Sequence, residues 1–246
     1  MNEKVIAFDQ QFLQIFNESQ RCCFISRAKE LQIEQRERLK AFAFQASELK
    51  KETITTNDED SANAMLSFEL MVEAATEEVE MWIAMRDEWW DMAWDHLMNA
   101  QSSAQVAIRV HLVGEHVRNY VQALHLIEQL VFPPQTFLSS GLIIERTECS
   151  ICGQTYGECD HLAGKAYMGQ ICLQVVQGIK EITEVSIVKH PADKRCRVLN
   201  PTDNGVKRDI MTWRMMPADP MEKNAGDQYK IAGYAVRTDL NEKRDR

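Results

Sequence analysis

The chain predicts an α+β fold, a long-helix hairpin or three-helix bundle followed by a small β-rich module. Three observations carry this. From Glu3 to about Lys51 there is no Gly or Pro, and apolar residues recur at helical spacing. After Pro134 the pattern changes to short β-prone runs divided by Gly, Asn and Pro. Five of the seven cysteines lie between Cys149 and Cys196.

Val5, Phe8, Phe12, Ile15 and Phe16, then Ala28, Leu31, Leu39, Phe42, Ala46 and Leu49, form the first apolar stripe. Its phase slips around Arg21 to Ser26, and one long bent helix is preferred over two shorter ones. The polar stretch from Thr53 to Asp60 has cap-forming residues and clustered acids, which suit a connection. A second helix is expected from about Ser61 to Asn99, with Met65, Phe68, Val72, Ala75, Val79, Trp82, Trp89, Ala93 and Leu97 on one face. Glu69, Glu73, Glu77, Glu80, Asp87, Asp91 and Asp95 form its solvent face. A third runs to about Val131 with Val106, Val110, Val113, Val117, Val121 and Leu124 in phase, and Pro133 and Pro134 stop it.

Strands are expected at Gly141 to Ile144, Ile171 to Val176, Glu184 to Lys189, Cys196 to Leu199 and Tyr229 to Val236. The TDNGVKRD segment after Pro201 and Met216 to Gly226 read as loops. The expected boundary lies between residues 134 and 135. It separates a helical-bundle or coiled-coil-like domain from a β-rich domain with a polar C-terminal tail.

With 45% hydrophobic and 26% charged residues the composition is that of a protein with a packed core. The N-terminus lacks the basic and apolar regions of a signal peptide, and no run approaches the roughly 20 apolar residues that cross a bilayer. A cytoplasmic setting is expected. Net charge is −9; Met1 to Gln135 holds 12 Lys+Arg against 22 Asp+Glu, whereas the remainder holds 16 against 15. Acidity concentrated in the helical half would repel a phosphate backbone, and the mixed-charge tail with Lys230, Arg237, Lys243, Arg244 and Arg246 offers little attraction, so nucleic acid is not the expected partner.

An odd number of cysteines argues against a closed disulfide framework. Cys149-Ser-Ile-Cys152 followed by Cys159-Asp-His161 supplies four soft or borderline ligands within reach of one tetrahedral ion, for which zinc fits best. Gly153 lets backbone amides turn toward the sulfurs. Four protein ligands leave no open position, so one structural Zn²⁺ is expected, with Cys172 able to replace any one ligand. Cys196 and the Cys22-Cys23 pair read as buried thiols.

Trp82, Trp89, Trp90 and Trp94 form a cluster in the helical half. Adjacent helical residues point about 100° apart, so one buried face cannot take them all, and part of this surface is expected to meet a protein partner or a second copy of the chain. No Glu-x-x-His motif accompanies the acids, which argues against a di-iron site.

The segment from Cys149 to Val198 resembles tailed-phage head proteins and their maturation proteases. The matching residues are Cys149, Cys152, Gly153, Cys159, His161, Gly164, Tyr167, Gly169 and Cys172, then Glu184, Val185, Ser186, Val188, Pro191 and Ala192. The resemblance covers about a fifth of the chain and implies a β-rich module related to a self-cleaving serine protease. Where those proteases carry the nucleophilic serine, this chain reads Gly169-Gln-Ile-Cys172-Leu-Gln. Either Cys172 stands in as nucleophile with His161 as base, or the site is inactive and His161 serves the metal. The preferred expectation is no catalytic residue: an assembly or adaptor subunit of a phage-related or antiphage complex. A head-maturation-type protease with an altered nucleophile is the alternative.

Overall fold

The computed structural model describes residues 3–203, 206–217 and 230–235. Its α+β architecture has five α-helices: α1 Glu3–Gln20, α2 Lys29–Thr55, α3 Glu59–Arg86, α4 Trp90–Val110 and α5 Arg118–Val131. A 3₁₀ helix, Leu112–Val117, precedes α5. The strands are β1 Phe137–Ile144, β2 Thr147–Cys149, β3 Ala166–Tyr167, β4 Gln170–Ile171, β5 Gln174–Val176, β6 Ile179–Val188, β7 Val198–Asp203, β8 Val206–Lys207 and β9 Lys230–Gly233. No described helix is long and apolar enough to cross a membrane.

Two compact units interleave along the chain. One comprises residues 1–128 and 145–178; the other comprises 129–144 and 179–246. This partition differs from a single boundary after residue 134, because the cysteine-rich segment packs with the helices while the flanking strands β1 and β6 pair with each other.

The first expected helix is two. Arg21 to Ala28 breaks it, and the carbonyls freed there are taken up: Gln32 Nε2 donates to Cys22 and Phe24 oxygens, and Arg86 donates to those of Ile25 and Arg27. The slip in apolar phase marks this break. Between α2 and α3, Asn57 adopts φ 55°, Asn57 N–H donates to Ile54 O and Asp58 N–H to Thr53 O, a left-handed terminus in the Schellman pattern. Asp58 then caps α3 by accepting from Ser61 N–H, with Glu59 and Asp60 favourably placed in its first turn.

The second expected helix is also divided. Glu88 takes φ 59°, Glu88 N–H donates to Met85 O and Trp89 N–H to Ala84 O, which repeats the Schellman pattern and starts α4 at Trp90. A third interruption follows at His111, whose extended backbone and Nδ1, accepting from Val113 N–H, open the 3₁₀ turn. Gly114 is required there, since a Cβ would lie 2.2 Å from Ala107 O.

α3 is the central helix of its unit, packed most extensively on α4 and then on α2. The expected stripe is buried from Met65 through Trp82, but Ala64, Met71, Ala74, Met81 and Ala84 are buried as well, so α3 is enclosed nearly all round. Phe8 stacks on Phe42 at 4.4 Å, and Phe8 and Phe12 both meet the Phe68 ring at 5.4 Å, joining α1, α2 and α3. Several acids assigned to a solvent face instead meet bases of α2: Glu69 pairs with Lys50, Glu80 with Arg36 and Lys40, and Asp87 with Lys29. In the third stripe Val117 and Leu124 are buried, whereas Ala104 and Ala107 occupy the interior upstream and Val106 and Val110 are half-buried.

In the second unit β1 and β6 are antiparallel, with Phe137 opposite Val188 and Ile144 opposite Ile179. β7 lies between β8 and β9. TDNGVKRD is therefore not simply a loop, since β7 and β8 pair Thr202 with Lys207 and Asp203 with Val206. The expected terminal strand is present as β9, while residues 218–229 and the mixed-charge tail beyond residue 235 lie outside the described residues.

Candidate metal centre

Cys149 is the last residue of β2, held opposite Gln174 of β5. The chain then turns sharply: Gly153 N–H donates to Cys149 O at 2.8 Å with φ 73°, and Cys149 N–H donates to Gln154 O. This turn aims the Ile151 and Cys152 amides at the Cys149 sulfur. Burial raises the Cys149 pKa, but those two amides and the thiols of Cys152 and Cys172 pull it lower, to about 6. A second, shorter turn directs the His161 amide at the Cys159 sulfur. That amide lowers the Cys159 pKa, while burial and the neighbouring Cys152 and Cys149 raise it, with a net upward shift.

These turns bring one donor atom each from Cys149, Cys152, Cys159 and His161 within 4.8 Å of one another. Cys149 is buried, Cys159 and His161 half-buried and Cys152 exposed. The His161 ring meets Tyr167 edge-on at 4.8 Å, and the Tyr167 hydroxyl accepts from Leu162 N–H, which fixes the loop carrying the imidazole. His161 Nδ1 is buried and has no hydrogen-bond partner among the described residues. Buried polar nitrogens are normally paired, so an ion bound at this nitrogen would satisfy it. The group can therefore hold a metal ion.

Cys172 adjoins the cluster. Its side chain is buried and its Sγ lies 3.7 Å from Cys149 Sγ. Burial, then the hydrogen bond and charge of Cys149, push its thiol up to about 11. Reactive cysteines are exposed and low in pKa, the reverse of this environment.

The segment is fastened to the helices of its own unit. Gly169 N–H donates to Asn63 Oδ1 at 2.9 Å and Met168 N–H to Glu59 Oε1 at 3.2 Å.

The tryptophans separate. Trp82 and Trp94 are core residues, Trp90 is half-buried with a buried indole nitrogen that has no partner among the described residues, and Trp89 is 55% exposed. The sequence led to the expectation that part of this cluster would be surface, and beside the break at Glu88 it is Trp89 that is turned out. Cys23 and Cys196 are buried and Cys22 half-buried.

Glu78 gave no sequence signal. It is 2% exposed on α3, accepting from Gln20 Nε2 at 2.9 Å and Trp82 Nε1 at 3.4 Å, with Tyr120 and Cys23 alongside. Its partners come from separated parts of the chain, and only the tertiary fold assembles them. Comparison with known proteins returns no match to a protein family, a curated protein or a solved structure.

Proposed function

We propose that this protein is a non-enzymatic assembly or adaptor subunit whose 145–178 segment is stapled by one structural Zn²⁺. The observation that carries this reading is the donor set: three sulfurs and one imidazole nitrogen, all from the chain and all within 4.8 Å. Such a soft, borderline set suits zinc, and four protein ligands leave no coordination position for a substrate. A staple of this kind makes a rigid surface from a segment with little core of its own. On the helical unit, exposed Trp89 together with Phe24 and Ile25 offers apolar side chains of the sort that anchor protein contacts. The phage-related or antiphage setting rests on the resemblance of residues 149–198 alone.

Metal analysis of the full-length chain, purified without added metal and paired with its intact mass, tests the reading. About one zinc per chain, lost in Cys149→Ala and Cys152→Ala, and an uncut mass are expected. A metal-free, clipped protein whose clipping stops in Cys172→Ala would replace the adaptor by a protease.

A further inference from the structure

We propose that Cys172 is the outer partner of the metal centre. Its thiol donates an S–H···S hydrogen bond to the metal-bound Cys149 sulfur and so holds the ion more tightly without binding it. The inference rests on reading the Cys149, Cys152, Cys159 and His161 cluster as a metal site.

A tetrahedral ion takes four donors, and a fifth candidate, Cys172, stands beside the cluster of four, 3.7 Å from the Cys149 sulfur. The hydrogen bonds decide which one is left outside. His161 Nδ1 is buried and has no partner among the described residues. Cys172 already has one, because its sulfur lies 3.7 Å from that of Cys149. Assigning the ion to Cys172 in place of His161 would orphan a buried nitrogen, whereas assigning it to His161 leaves every sulfur and that nitrogen engaged.

Ion binding also fixes the direction of the sulfur contact. A metal-bound Cys149 is a thiolate and has no proton to give, so the donor is the Cys172 S–H. The backbone is set for this role. Cys172 N–H donates to Lys165 O and Cys172 O accepts from Gly164 N–H, both at 2.8 Å, and the side chain is fully buried. Cys149 then receives three donors, the Ile151 and Cys152 amides and the Cys172 thiol. Hydrogen bonds from outer groups orient metal ligands and tune their electron donation, and losing one typically costs 10–100-fold in metal affinity.

The test uses the full-length chain loaded with Co²⁺ in place of Zn²⁺, titrated against a competing chelator. Cys172→Ala should bind one Co²⁺ with affinity reduced about 10–100-fold. Its sulfur-to-cobalt charge-transfer band should keep its intensity but move to lower energy, because an unbonded thiolate donates more readily. Cys172→Ser retains a hydroxyl donor and should recover both affinity and band position. Loss of band intensity in both Cys172 variants, with His161→Ala unchanged, would make Cys172 a ligand and overturn the proposal. Unchanged affinity and spectrum in Cys172→Ala would reduce it to a packing group and equally overturn it. A wild-type chain that binds neither ion refutes the metal reading itself, an outcome distinct from both.

Discussion

Glu78 is a carboxylate enclosed by the helical core, where burial raises its pKa and the neighbouring Gln20, Tyr120, Trp82 and Cys23 only partly offset the rise. The folded state therefore binds this proton more tightly than the unfolded chain does. The corresponding stability is fully present below the ordinary carboxylate range and is lost as pH rises through the elevated folded value. Glu78→Gln keeps the shape and removes the titration. The stability of wild type relative to Glu78→Gln should fall as pH rises from about 4.5, with a slope of at most about 1.4 kcal/mol per pH unit. Urea unfolding of both proteins at several pH values measures it, and parallel profiles would mean that Glu78 titrates as an ordinary surface acid. No sequence pattern could single out this residue, which stands among twelve other acids between Glu52 and Asp95. The candidate metal ligands Cys149, Cys152, Cys159 and His161 were legible for the opposite reason, since all four lie within a short local stretch whose spacing alone limits their reach.

Among the elements, the hairpin β3–β4 shows most directly how backbone geometry places the candidate centre. Its two connecting residues, Met168 and Gly169, have φ 47° and 74°, both left-handed, as a two-residue hairpin turn demands. Gly169 suits this position and also allows close approach: a Cβ there would lie 3.1 Å from Lys50 Cδ and 3.3 Å from the Ala62 carbonyl. Met168 fits poorly, because a left-handed backbone costs an ordinary L-residue about 1–2 kcal/mol. Met168→Asn should therefore stabilise the protein by about 0.5–1 kcal/mol, and Gly169→Ala should destabilise it by about 1–2 kcal/mol. Thermal unfolding of the two variants with metal bound distinguishes them, and equal midpoints would contradict this account of the turn. The same geometry explains which helix boundaries could be read. Asn57 tolerates its left-handed position and sits in a visibly polar connection, whereas Glu88 occupies such a position with no glycine or asparagine to announce it. The expected 61–99 helix consequently ran through a real break.

At the scale of the whole molecule, the chain leaves the helical unit after Glu128, forms β1, returns as residues 145–178 and leaves again into β6. Hydrophobic patterning located most of these strands but could not reveal that β1 pairs with β6, since partner choice depends on residues far apart in sequence. That pairing makes the cysteine-rich segment an insertion between two strands, closed at its base where Glu145 N–H donates to Gly178 O. Within residues 145–178 only Cys149, Gly169 and Cys172 are buried, and the four strands are two or three residues long. So small an interior cannot offset the entropy of ordering the segment, and under the proposed zinc reading the bound ion would supply the missing folding energy. The helices have an independent core around α3. Removing the ion with a chelator under reducing conditions should therefore open the insertion while leaving the bundle folded. Amide exchange should accelerate from Thr147 to Val176, with protection in α3 and α4 and the helical circular dichroism largely retained. Simultaneous loss of protection in α3 would instead show that the Gly169–Asn63 and Met168–Glu59 contacts make insertion and bundle one cooperative unit.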